Sequence, residues 1–267
     1  MSLCVSVVSH GHGPQVRRLL ERIARLAAPA CAPDASELVV PQRVILTLNV
    51  PEPALAPSLR GRAWPFALEI TENTVPQGFG VNHNRAFALD AQLGASAFFA
   101  VLNPDVDWQR GNPFSALRQA LLADPGAGLA YPVQTDAQGR LQDFERLVPT
   151  PARLLRRYRP GGQRHEVRPN APNAPNAPEW VNAAFLLLPR AAYAAIGGFD
   201  EGYHMYCEDV DLCLRLQRAG WRMARADDAV VVHEASRASH HDLQHLAWHL
   251  ASLCRLWRRH LRAMQYP

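Results

Sequence analysis

The chain contains no lysine: all 28 of its basic residues are arginine. That excludes a Walker-type phosphate loop, which needs a lysine to reach the phosphates. Cysteine is scarce and scattered (Cys4, Cys31, Cys207, Cys213, Cys254), odd in number and without a Cys-x-x-Cys pair. A disulfide framework is not indicated, and reduced thiols in a cytoplasmic setting fit the pattern. The N-terminus lacks a basic region followed by an apolar run and cleavage site. No segment approaches the ~20 apolar residues of a membrane-spanning helix. The expectation is a soluble or peripheral cytoplasmic protein. A net charge of +4 is too mild for a dedicated nucleic-acid binder.

What is present is globular. Of the 267 residues 48% are hydrophobic and 19% charged, enough for one large domain or two small ones. Apolar runs at 3–8, 44–48, 68–71, 98–102, 128–133, 181–188 and 229–232 read as strands. Helices are expected between them, at 81–93, 113–122, 191–196 and from the acidic block to Ala219. The first helix carries Val16, Leu19, Leu20, Ile23 and Leu26 on one face. Such alternation implies a mostly parallel, doubly wound α/β sheet with a site at the strand C-termini. Residues 134–179 break the pattern. They are rich in Arg and Pro, repeat Asn-Ala-Pro three times from 170 to 178, and read as an irregular insertion. The tail, 241–267, reads as a basic amphipathic helix. Leu243, Leu246, Leu250, Leu253, Trp257 and Leu261 form its stripe, beside Arg255, Arg258, Arg259 and Arg262.

Four places carry polar residues that chemistry could use. Gly197-Gly198-Phe199-Asp200 leads to Glu208-Asp209-Val210-Asp211, three acids in four residues at a helix start. Repulsion among them favours a general base, although a single acid there could simply cap the helix. Asn103-Pro104-Asp105 follows a buried strand. It is either a turn or a carboxylate holding a hard cation. His233 ends the last strand and, with Asp105, would make a mixed oxygen and nitrogen site suited to Mn²⁺. Gly78-Phe79-Gly80, with Asn82 and Asn84, would let backbone approach a ligand closely, or would merely turn into a helix.

Taken together and in this order, the segments resemble the family 2 glycosyltransferases of the GT-A fold, and most closely rhamnosyltransferase-like bacterial members. Val5-Ser6-Val7-Val8-Ser9-His10-Gly11 is similar to that family's opening strand and nucleoside loop. Asn73, Gly78-Phe79-Gly80 and Asn84-Arg85 are similar to its glycine segment. Leu102-Asn103-Pro104-Asp105 stands at its metal motif, and His233-Glu234-x-Ser236 at its late histidine. The resemblance implies one catalytic domain over 1–240. It implies inverting transfer of a sugar, rhamnose by likeness, from a UDP- or dTDP-sugar to a glycan or lipid-linked hydroxyl in surface polysaccharide synthesis. Asp209 would be the base, with Glu208 supporting it. Asp105 and His233 would hold Mn²⁺ or Mg²⁺. Ser9, His10, Asn49, Asn73, Gly78, Phe79, Gly80, Asn84, Asn103 and Asp105 would line the nucleotide-sugar. Asn49 departs from the family's usual Asp, and Ala86 from its usual Gly. Two other classes stay open: a sugar-nucleotide nucleotidyltransferase, for which Gly11-His12-Gly13-Pro14 is a weak phosphate loop, and a non-catalytic sugar-nucleotide-binding protein. The tail would pack on the domain, its basic edge exposed, or lie on an anionic membrane.

Overall fold

The computed structural model describes residues 2–27, 39–157, 178–233 and 243–264. Leu3–Ser9 (β1), Arg43–Leu48 (β2), Ala67–Glu72 (β3) and Phe98–Leu102 (β4) build its first half. β1 and β4 are apolar almost throughout because the sheet is covered on both faces. β3 is the edge, half-exposed along its length, and therefore the weakest apolar run. β1 pairs in parallel with β2 and β4, and β2 with β3. Gly13–Arg25 (α1) carries the chain back after β1, with Pro14 in the first turn, where its missing N–H is no loss. Val16, Leu19, Leu20, Ile23 and Leu26 are all buried, as the spacing predicts.

Beyond β4 the sheet turns antiparallel and then parallel again. Val106–Asp107 (β5), Ala127–Thr135 (β6), Phe185–Pro189 (β9) and Arg222–His233 (β10) complete the order β3-β2-β1-β4-β9-β6-β10-β5. β9 runs antiparallel between β4 and β6, β6 is parallel to β10, and β5 is antiparallel to β10. Leu55–Arg60 (α2), Phe79–Gln92 (α3), Pro113–Ala123 (α4), Arg190–Ala195 (α6) and Glu208–Arg218 (α7) supply the other layers. The Asn112 side chain caps α4, accepting from the N–H groups of Phe114 and Ser115 at 3.0 and 3.3 Å.

Three expectations change. The strand expected over 181–188 is two. Trp180–Val181 (β8) ends at Asn182, and β9 begins only at Phe185. Asn182 turns the chain by accepting the Ala184 N–H on its own side-chain oxygen at 3.3 Å. The stretch 134–179, expected to be irregular, holds two short regular pieces where it is described. Glu145–Arg146 (β7) pairs with β8, and Pro151–Arg157 (α5) follows. The Asn-Ala-Pro repeats up to residue 177 lie outside the described residues, as do Cys31, Glu234 and Ser236. The tail is a helix, Leu243–Met264 (α8), but its packed face is turned from the expected stripe. Ser252, Leu253, Leu256 and His260 are buried, whereas Leu246 and Leu250 are 44% and 55% exposed. Polar anchors set that rotation. Ser252 donates to the Met205 carbonyl at 2.8 Å, and the Trp257 indole N–H to the Pro149 carbonyl at 2.8 Å. The side chains of Leu243 and Leu261 lie outside the described residues. Among the described residues no helix is long and apolar enough to cross a membrane.

Candidate active site

The acidic block opens α7 from a strained turn. Tyr206 and Cys207 both hold left-handed backbone, at φ 71° and 62°, a conformation costly for side-chain-bearing residues. Glu208 is buried and its Oε2 has no hydrogen-bond partner. Burial pushes its carboxyl well above the usual range, and the neighbouring Asp209 pushes it further. Burial raises Asp209 too, against hydrogen bonds from the Val210 and Ala183 N–H groups and the nearby Arg146 guanidinium. Two adjacent carboxyls held above their ordinary range make a group ready to accept a proton near neutrality.

Asp211, two residues on, does something else. It is fully buried, accepts from Arg215 Nε at 2.6 Å and lies 2.7 Å from His260 Nε2 of α8. Burial alone would raise its carboxyl; the hydrogen bonds from His260 and Arg215 hold it below the usual range. Arg215 also donates to the carbonyls of Ile196 and Gly198, both at 2.7 Å, clamping the Gly197-Gly198 turn. Asp211 therefore braces the helix and the tail.

Asp105 and His233 meet across the end of the sheet. β5 pairs with β10 so that His233 stands opposite Val106, and His233 Nε2 lies 3.7 Å from Asp105 Oδ2. Asp105 is 37% exposed on its side chain and His233 only 9%. Burial lowers the imidazole's affinity for a proton, although Asp105 pulls the other way. A neutral imidazole beside an open carboxylate is a donor set that fits a divalent cation of the Mn²⁺ type. Among the described residues no third His, Cys, Asp or Glu joins them, so other ligands would come from substrate and water.

The segment Asn182-Ala183-Ala184 joins these parts. The Ala183 N–H reaches Asp209. The Ala184 carbonyl accepts the Asn103 N–H at 2.8 Å, holding the loop that carries Asp105. The Asn182 side chain reaches His233 through Gln134. Sequence reasoning missed this segment, together with Gln134 and Arg146, because 181–188 reads as one apolar run. The signal was there in Asn182, a strand-averse polar residue inside it.

The expected nucleoside end is built differently. Asn49 donates to the Gln77 carbonyl at 3.0 Å and accepts from the Gln77 N–H at 2.8 Å and from Asn73 Nδ2 at 2.8 Å. Asn73 also donates to Asn82 Oδ1 at 2.7 Å and accepts from Arg85 at 3.3 Å. These amides are committed to one another and to the 73–78 turn. Asn84 lies apart from them. It accepts from Tyr193 Oη at 2.7 Å and the Phe199 N–H at 2.9 Å, and donates to the Phe199 carbonyl and Glu201. It braces the Gly197–Phe199 turn. Gly78 and Gly80 are small for the same loop: a Cβ there would come within 2.8 Å of the His204 carbonyl and 2.6 Å of Phe199 Cβ. Phe79 packs edge-on against His83 and Phe199. Ser9 donates to Glu52, which also accepts the Gly11 N–H at 3.3 Å. That turn thus presents its amide to a carboxylate, which ill suits a phosphate loop. His10 is exposed, its Nδ1 3.2 Å from Asn49 Nδ2.

The family described as Glycosyl transferase family group 2 matches residues 175–265. N-acetylglucosaminyl-diphospho-decaprenol L-rhamnosyltransferase of Mycobacterium tuberculosis is 32% identical over 194 residues, 64% of this chain and 61% of that protein. The chain thus spans less than two thirds of that relative's length. Rhamnosyltransferase WbbL of Escherichia coli is 25% identical over 260 residues, covering 94% of this chain and 90% of that one. Among solved structures, the mannosyltransferase PcManGT from Pyrobaculum calidifontis, in complex with GDP-Man and Mn²⁺, superposes with a TM-score of 0.59. It is 17% identical and covers 95% of this chain and 64% of that one. S. aureus TarS 1-349 in complex with UDP-GlcNAc gives 0.56 at 11% identity, covering 91% of this chain and 61% of that one. At these identities the likeness speaks for the fold.

Proposed function

We propose that the chain is a family 2 glycosyltransferase of GT-A fold, a reading supported by the match over residues 175–265, the two rhamnosyltransferase relatives and the structural likeness, and that it is a metal-dependent, inverting transferase of rhamnose. It takes the sugar from a UDP- or dTDP-linked donor and adds it to a hydroxyl of a glycan or lipid-linked acceptor in surface polysaccharide synthesis. The observation that carries this reading is the connection of Asp209, the Asp105 loop and His233 through one three-residue segment. The two named relatives, both rhamnosyltransferases, support the choice of sugar.

Asp209 takes the proton from the acceptor hydroxyl onto its carboxylate. The freed oxygen attacks the anomeric carbon, and the bond from that carbon to the diphosphate oxygen breaks on the opposite face. Burial keeps Asp209 proton-hungry, while the Val210 N–H and Arg146 stop that rise short of neutralising it; Glu208, buried and unpartnered beside it, is raised in turn by the Asp209 charge. Asp105 and His233 hold Mn²⁺ or Mg²⁺. When bound, the cation supplies positive charge to the departing nucleoside diphosphate. Ser9, Asn49 and Asn73 shape the nucleoside end through their bonds to Glu52, Gln77 and one another, and Asn84 holds the loop before α7. The open Leu246 and Leu250 of α8 suit peripheral contact with a membrane at its cytoplasmic face.

The test is a donor screen with Mn²⁺ that reads nucleoside diphosphate release from UDP-, dTDP- and GDP-sugars with a lipid-linked acceptor. Release from dTDP- or UDP-rhamnose, lost on chelation, is the expected result. Release that needs no divalent ion would overturn the metal assignment.

A further inference from the structure

The two ring nitrogens of His233 face different groups. Nε2 points towards Asp105 Oδ2, 3.7 Å away. Nδ1 lies 3.1 Å from Oε1 of Gln134, which is itself buried. Gln134 and Asn182 form a reciprocal amide pair. Gln134 Nε2 donates to Asn182 Oδ1 at 2.6 Å, and Asn182 Nδ2 donates to Gln134 Oε1 at 3.0 Å.

Such a pair could be turned end for end with little change in shape. A backbone group fixes its direction. The Ala184 N–H donates to Asn182 Oδ1 at 3.3 Å, so an oxygen must stand there. The Asn182 nitrogen then faces Gln134, and Gln134 presents oxygen to both Asn182 and His233. An oxygen facing Nδ1 requires the ring proton on Nδ1, which leaves the lone pair on Nε2, on the Asp105 side. Asp105 by itself favours the opposite arrangement. A carboxylate near Nε2 draws the proton to that nitrogen, where it would block a cation. The amide pair and the carboxylate compete for one proton.

We propose that Gln134 and Asn182 are positioning residues that hold His233 in its Nδ1–H tautomer and so keep Nε2 open as a ligand for a divalent cation beside Asp105. The inference rests on the metal reading given above. It would make the backbone turn at 182–184 a support of the metal site, acting through Asn182 and Gln134 on His233.

Nitrogen NMR of the histidine rings tests the proposal on the metal-free full-length protein at mildly alkaline pH, with the His233 signals assigned by comparison with His233→Asn. The wild type should show Nδ1 protonated and Nε2 bare. Gln134→Met, which keeps length and loses the acceptor, should move the proton to Nε2. It should also weaken Mn²⁺ binding, followed by electron paramagnetic resonance, by about 10–100-fold. Gln134→Glu restores an acceptor and should keep both the tautomer and the affinity. A wild-type ring protonated on Nε2 overturns the proposal without any variant. If the wild type binds Mn²⁺ and Gln134→Met matches it in tautomer and affinity, the positioning role falls and the metal reading stands. If the wild type binds no Mn²⁺, both fall.

Discussion

The two ends of the candidate site treat their polar groups in opposite ways. At the expected nucleoside end Asn49, Asn73 and Asn82 satisfy one another and the Gln77 main chain. At the α7 end Glu208 and Asp209 are held up by burial, one carboxyl oxygen has no partner, and the preceding turn is strained. A satisfied network gives shape and stability. A frustrated one costs stability and leaves groups that gain from meeting a substrate. The contrast recurs inside one helical turn, where Asp211 is fully paired and Glu208 is not.

That contrast can be broken from the paired side first. Asp211→Ala leaves Arg215 buried without its carboxylate and should cost about 3–5 kcal/mol in urea unfolding. A loss near zero would show that Asp211 is not the brace. Asn49→Leu removes the centre of the amide web and strands the Gln77 N–H. Its cost should be about 1–3 kcal/mol, with donor affinity falling through the misplaced 73–78 turn. A variant of full stability and unaltered donor binding would remove the web from the account.

The frustrated side should respond with the other sign. Glu208→Gln removes a raised, buried charge and should gain on the order of 1 kcal/mol or more at pH 8, with a smaller gain at pH 5. The sign follows from linkage. Glu208 and Asp209 bind their protons more tightly folded than unfolded, so their penalty is absent only below the ordinary carboxylate range, is already small but present at pH 5, and grows as pH rises towards 8. Asp211, held low when folded, contributes above the ordinary carboxylate range and loses that contribution as pH falls through it. Thermal melts of wild type and Glu208→Gln from pH 5 to 8 separate the two. Parallel curves would mean that Glu208 is not strained.

Much of this was legible in the residues. Apolar runs with turn residues after them placed β1, β2, β4 and β6, and the helical spacing of Val16 to Leu26 placed α1. The sequence order also singled out Asp105, Glu208, Asp209 and His233. Three things were hidden for physical reasons. An apolar run does not show where it is cut, so the 182–184 turn stayed invisible until Asn182 met Gln134. A polar residue beside a ligand motif does not show whether its hydrogen bonds are already taken, as those of Asn49 and Asn84 are. The rotation of α8 depends on Ser252, Trp257 and His260 finding Met205, Pro149 and Asp211, contacts between segments far apart in sequence.

The proposed division of labour at α7 comes down to one atom pair, an acceptor hydroxyl and the Asp209 carboxylate. Single-turnover sugar transfer by Asp209→Asn, with donor binding measured on the same sample, tests it most directly. Transfer should fall by about 10²–10⁴-fold while donor binding stays close to that of the wild type. Transfer at the wild-type rate would show that Asp209 is not the base.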